Sequence, residues 1–425
     1  MADDKKQKEP KGLPEEWEVV RLGEVIEETY PGEWGDNPTD DKNIFPVFST
    51  LAIDYDGRID FTKAVPRKLN KKKIEKLKLR KGMILIEKSG GSTDTPAGKV
   101  AILKQDFEGT CSNFIQILKP NNSICDSYYL FYRLLYNFKN NLVGKYQQKT
   151  TGIINFILKE YFNEYIPLPP LPEQRKIAQI LETVDNAIEK TEKIIEKYKR
   201  IKQGLMQDLL TKGIDEKGNI RSEKTHKFKD SPLGRIPEEW EVVRLGEILK
   251  YEQPQKYIVI SDEYDEKSGI PVLTAGKTFI LGYVDENEGI CNDLPVILFD
   301  DFTTESRFID FPFKVKSSAT KILRAKDESI DLFYVYNALK LIRLKPSSDH
   351  KRFWISEYSK MPIPLPPLPE QKRIAEILSQ IDQAIEKEEK YKQKLERLKK
   401  GLMEDLLTGK VRVNKLLEGE NYGMA

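Results

Sequence analysis

The chain is written twice, and this repeat constrains its fold more than any other feature. PEEWEVVRLGE at 14–24 returns letter for letter at 237–247, and IPLPPLPEQ at 166–174 returns at 363–371. The second match continues: RKIAQILETVDNAIEK (175–190) against KRIAEILSQIDQAIEK (372–387), then GLMQDLL (204–210) against GLMEDLL (401–407). Head segments lie 223 residues apart and arm segments 197 apart, so the stretch between them shortens from 141 residues (25–165) to 115 (248–362). The order is head, variable globule, arm, and then the same again.

The arms read as long helices. Ile177, Leu181, Val184, Ile188, Ile195, Tyr198, Leu205 and Leu209 recur in steps of four and three, with Thr191 and Lys202 in the weak slots. The second arm repeats the seam with Ile374, Leu378, Ile381, Ile385, Leu395, Leu402 and Leu406, its polar slots being Glu388, Lys392 and Lys399. Such a heptad stripe packs on another helix at a shallow angle. Pro172 and Pro369 suit a first turn, with Glu173 and Glu370 following at the positive end of the dipole. About 40 residues at 1.5 Å each make a rod of roughly 60 Å. A lone amphipathic helix is not stable in water, so each stripe needs a cover. The nearest is the other arm, paired antiparallel about a pseudo-twofold axis with the globules at opposite ends; packing of each arm on its own globule is the alternative. Gly204 and Gly401, inside the helices, are expected to mark a close backbone approach.

Composition narrows the function. Seventy Lys and Arg against 68 Asp and Glu leave a net charge of +2, which excludes a basic arm or an acidic tail but not a patched DNA binder. Cys111, Cys125 and Cys291 have no CxxC spacing, and His226 and His350 have no nearby ligand partner, so neither a metal site nor a disulfide framework is expected. Free thiols, the lack of an apolar leader and the lack of any long apolar run suit a cytoplasmic protein with no membrane partner.

Both globules read as mixed α/β. MILIEKS (83–89) and SNFIQIL (112–118) look like strands and the aromatic run 128–138 like a helix; PVILFDD (295–301), ATKILRA (319–325) and LFYVYNALKLI (332–342) echo them. Aromatic residues crowded at helical spacing indicate core rather than a base-stacking platform. Residues 66–81 carry nine cations, Lys71, Lys72 and Lys73 among them, against the single acid Glu75, which suits either phosphate contact or a solvated face. KSGGSTDTPAGK (88–99) offers Lys88, Ser89, Gly91, Ser92 and Thr93 on a backbone able to approach a ligand, but Val100 stands where a phosphate loop requires Ser or Thr. Shortly before each arm, Lys145, Gln147, Gln148, Lys149 and Thr150 match His350, Lys351 and Arg352 in supplying cations, amides and hydroxyls for phosphates and base edges, though either stretch suits an ordinary surface turn equally well; Arg307 is a further candidate. No catalytic residue or motif is found.

The order FKDSPLGRIPEEWEVVRLGEI (228–248), variable region, IPLPPLPEQKRIAEIL (363–378) resembles the specificity subunit of Type I restriction–modification enzymes. The first half repeats the signature apart from its lead-in, KEPKGL in place of KDSPLG. The resemblance implies an α+β chain: a tail (1–12), target recognition domain 1 (13–165), spacer helix 1 (166–211), connector (212–235), target recognition domain 2 (236–362), spacer helix 2 (363–409) and a second tail (410–425). It implies a non-catalytic subunit whose two recognition domains each read half of a split double-stranded DNA target. The two helices would set the spacing and dock two methyltransferase subunits that bind S-adenosylmethionine. Two ATP- and Mg-dependent restriction/translocase subunits would join for cleavage. A coiled-coil adaptor that binds proteins without DNA specificity is the alternative.

Overall fold

The computed structural model describes residues 12–91, 96–149, 153–274, 278–342 and 353–416. They divide into two compact units, one from 1–192 with 391–425, the other from 193–390. Each unit thus holds a head, a globule, the first half of one arm and the second half of the other.

In each unit the two duplicated segments are strand partners. Glu18–Arg21 pairs antiparallel with Tyr165–Leu168, Glu18 opposite Leu168, and Glu241–Arg244 pairs likewise with Pro362–Leu365, Glu241 opposite Leu365. The tryptophan just before each head strand, Trp17 or Trp240, is buried. The head therefore zips onto the proline-rich stretch that leads into the arm.

The globules share a plan. The first has a four-stranded antiparallel sheet in the order Ile26–Pro31, Ile115–Pro120, Ile84–Glu87, Val100–Ile102. The second has Leu249–Glu252, Thr320–Ala325, Val296–Asp300, Ser306–Ile309. A three-stranded sheet accompanies each, Val65–Lys68, Ile44–Phe48, Thr110–Cys111 in one and Ile280–Val284, Ile270–Leu273, Lys314–Val315 in the other; the last pair is parallel in both. The aromatic helix Ser127–Lys139 starts at Asp126, whose carboxylate accepts from the amides of Tyr128 and Tyr129. Its Tyr129, Phe131, Tyr132 and Leu135 are buried, as are Tyr334, Val335 and Leu339 of the counterpart Leu332–Leu341, so these helices are core.

The arms are single helices, Leu171–Leu209 and Leu368–Leu407. Each begins one residue before the expected proline, which still lies in the first turn, where no intrahelical donor is lost. The arms pair antiparallel, and this holds inside each unit. In the first, Ile177 and Leu181 share a buried cluster with Leu406 and Leu407, and Val184 and Ile188 share one with Leu395 and the half-buried Leu402. In the second, Leu209 and the half-buried Leu205 join Ile374 and Leu378. Ile195 and Ile385 are also buried, while Ile381 is half-buried.

The connector 212–235 carries structure of its own: Ile214 is buried and bridged to Ile220, and Phe228–Ser231 forms a hairpin with Gly234–Pro237. Beyond 410, Val413 is buried in the first core. One expectation needs correction: Gly204 and Gly401 mark no close approach, since among the described residues a Cβ at either would meet nothing within 4 Å.

Candidate nucleic-acid interface

What fixes a globule to its arm is the same set of bonds in both units. Trp17 Nε1 donates to Glu173 Oε2 at 3.0 Å, and Arg412 grips the same carboxylate with Nε and Nη2 at 2.7 and 2.9 Å. In the second unit Trp240 Nε1 donates to Glu370 Oε2 at 3.0 Å, Arg221 forks onto both oxygens, and the Ile214 amide donates to Oε1 at 2.8 Å. A buried carboxylate is tolerated because every oxygen finds donors and one partner is a cation. The next residue does equivalent work. Gln174 accepts from the Asp126 amide at 2.8 Å and donates to the Ile124 and Pro169 carbonyls; Gln371 accepts from Asp331 and donates to Ser329 and Pro366. The Glu-Gln of PLPEQ thus joins head, aromatic helix and arm.

Three of the five polar seam slots, Lys202, Lys392 and Lys399, hold ion pairs between arms. Lys399 meets Asp185 in the first unit and Lys202 meets Asp382 in the second. Lys392 joins Glu192 at 2.7 Å, and Arg58 of the first globule binds that same carboxylate. Reading the arms for apolar spacing alone missed Asp185 and Asp382. The signal was present, since both copies carry Asp and Lys at equivalent places.

Against this fixed frame the candidate contact residues fall into separate groups. Lys71, Lys72 and Lys73 are exposed in the first turn of the helix Lys71–Leu77, capped by Asn70. Three cations at the positive end of a helix dipole run against the electrostatic preference by about 0.3–1 kcal/mol each. The stretch 66–81 is less basic than its sequence suggests, because acids from elsewhere fold onto it. Lys73 meets Glu33, Lys68 meets Asp40, and Lys78 and Arg80 both meet Glu108. Among the described residues, Lys71, Lys72, Lys76 and Lys81 have no ion-pair partner.

The fold brings together two stretches far apart in sequence. Ser89–Gly91 and Gln147–Lys149 flank Ile154–Phe156 in one small antiparallel sheet, and Ser89 Oγ donates to Asn155 Oδ1 at 2.7 Å. Lys88 beside it is half-buried, has no carboxylate partner among the described residues, and burial lowers its pKa. Gln147 donates to the Ala97 carbonyl, and Gln148 and Lys149 are exposed. Lys145 is held by Glu164 at 2.9 Å. In the second globule Arg307 is exposed with its guanidinium 5.4 Å from the Phe279 ring centroid. Ser92, Thr93, Thr150, His350, Lys351 and Arg352 lie outside the described residues. Among those described, no His, Cys, Asp and Glu cluster could hold a metal ion, and no helix is long and apolar enough to cross a membrane.

The family model for the Type I restriction modification DNA specificity domain matches twice, over residues 14–200 and 237–397. The chain belongs to the specificity subunits of Type I restriction–modification systems. The putative MjaX specificity subunit of Methanocaldococcus jannaschii is 34% identical to this specificity subunit over 422 residues, covering 94% of this chain and 95% of that one. The MjaVIII specificity subunit of the same organism is 32% identical, covering 96% of each. The crystal structure of the S subunit from M. genitalium shares the fold with a TM-score of 0.63 at 17% identity, covering 94% of this chain and 97% of that one. A specificity subunit confers DNA sequence specificity and is not the catalytic component.

Proposed function

We propose that each globule reads one half of a split double-stranded DNA target, while the paired arms set the separation of the halves and dock methyltransferase subunits. The observation that carries this reading is the repetition of one lock, Trp17–Glu173–Arg412 and Trp240–Glu370–Arg221, beneath globules of unlike sequence. Constant seating with variable surfaces is what a two-part, asymmetric target requires. In the first globule, Lys71 and Lys72 suit phosphates, and Lys88 with the small sheet carrying Ser89, Gly91, Gln147, Gln148 and Lys149 suits phosphates and base edges. Arg307 serves in the second globule.

Two methyltransferase subunits with S-adenosylmethionine and two restriction/translocase subunits using ATP and Mg would complete a cytoplasmic complex. Bond-making would belong to them. The test is to exchange residues 25–165 for another recognition domain and map methylated adenines by single-molecule sequencing. One half-site changes and the other stays; a change in both halves contradicts the reading.

A further inference from the structure

Leu51 is 76% exposed on a turn that is otherwise immobilised. The turn Thr50–Ala52 is capped by Ser49 Oγ, which accepts from the Leu51 amide. Lys63 Nζ donates to the Leu51 carbonyl at 3.0 Å, and Lys99 Nζ donates to the Thr50 and Ile53 carbonyls at 3.0 and 3.2 Å. Ala52 and Ile53 are buried in the core beside Phe48. The isobutyl group therefore projects from a base that cannot retract it.

A single exposed leucine needs no explanation; its surroundings give this one meaning. A Cβ at Gly90 would lie 3.6 Å from Thr50 Oγ1, so the strand Ser89–Gly91 adjoins the turn. Through that strand the turn neighbours Lys88 and the sheet bearing Gln147 and Gln148. Phe48, leading into the turn, accepts from the Ser112 amide, and Lys88 donates its amide to the Phe114 carbonyl. The turn that carries Leu51 thus adjoins the strand Ser89–Gly91, which follows Lys88 in the chain and shares a small sheet with Gln147–Lys149. In the major groove every thymine offers a 5-methyl group, which apolar side chains read, next to edges that amides and cations read.

We infer that Leu51 is a specificity-determining residue of the first globule, packing on the 5-methyl group of a thymine in the half-site which that globule reads. The inference rests on the proposed half-site reading. It is tested on the full chain assembled with its methyltransferase subunits, in competition binding with duplexes in which each thymine of the first half-site is replaced in turn by uracil, which lacks only the methyl group. The wild-type complex binds one such duplex about fivefold more weakly. Leu51→Ala, a change at an exposed side chain, binds that duplex and the thymine duplex equally. The inference is overturned if Leu51→Ala keeps the wild-type ratio at every thymine, or if the wild type is indifferent to every replacement. The domain exchange described above judges half-site reading independently, since its outcome does not depend on Leu51.

Discussion

Lys399 Nζ lies 2.5 Å from Asp185 Oδ1, both side chains are nearly buried, and Tyr132 donates its hydroxyl to the other carboxylate oxygen at 2.8 Å. The same pair recurs 197 residues apart, with Lys202 Nζ 2.5 and 2.6 Å from the two oxygens of Asp382. A polar pair inside an apolar helical seam favours one register, because a slipped alignment leaves each charge buried alone.

Breaking the pair should cost more than exchanging its members. Asp185→Asn strands a buried ammonium and destabilises the first unit by about 3–5 kcal/mol, whereas the double exchange Asp185→Lys with Lys399→Asp recovers most of the loss. Unfolding midpoints of the three proteins check this. A single variant as stable as the wild type would contradict it.

Two arm glycines and one connector glycine should respond oppositely to alanine. Gly204→Ala and Gly401→Ala add a helix-favouring residue in open space and stabilise by up to about 1 kcal/mol each. Gly213 has φ +65°, and its Cβ would lie 2.2 Å from Glu370 Oε1 and 2.3 Å from the Trp240 ring. Gly213→Ala therefore destabilises by about 2 kcal/mol or more. Denaturant midpoints distinguish the sites, and equal effects at Gly401 and Gly213 would refute the assignment.

Acid should weaken the first unit through Glu192. Burial pushes its pKa up, but the hydrogen bonds from Lys392 and Arg58 outweigh burial and hold it below the usual range. A depressed folded-state pKa gives stability present above the unfolded value, about 4.3, and lost as pH falls through the lower folded value. Glu192→Gln should therefore be less stable than the wild type at neutral pH and approach it below about pH 4. Unfolding midpoints from pH 7 to 3 test this; parallel curves would contradict it.

The basic helix should act through phosphates at only some of its lysines. Reversing Lys71 and Lys72 to Glu lowers the slope of log affinity against log salt by about 2, at roughly 0.9 per phosphate contact. Lys73→Glu, already paired with Glu33, has a smaller effect. Filter binding or anisotropy across a salt series reads the slopes, and no change for the double variant would reduce the helix to a solvated surface.

The repeat made the architecture legible, because a duplicated head and a duplicated arm imply two equivalent units before any strand is placed. Apolar spacing of 3.5 residues revealed the seam, and the crowding of Tyr129, Phe131 and Leu135 revealed a core helix. Partnership between distant charges did not show. Lys73 looks free until Glu33 folds beside it, and Lys202 looks like a gap in the stripe until Asp382 arrives. Arg412 and Arg221 stand in polar segments with no period, so their grip on Glu173 and Glu370 depends on chain reversals that local pattern does not encode. The joining of Ser89 with Gln147 likewise arises from strand pairing over more than fifty residues, which no local signal specifies.

In the proposed function, matched arms hold two dissimilar readers at a set separation. Deleting one heptad from each arm (190–196 and 387–393) shortens each helix by about 10.5 Å, or roughly three base pairs of B-DNA. Methylated adenines are then mapped genome-wide by single-molecule sequencing with the shortened chain in its assembled complex. The account predicts a target whose two half-sites are unchanged and whose intervening gap is shorter. An unaltered gap, or altered half-sites across the same gap, would contradict it.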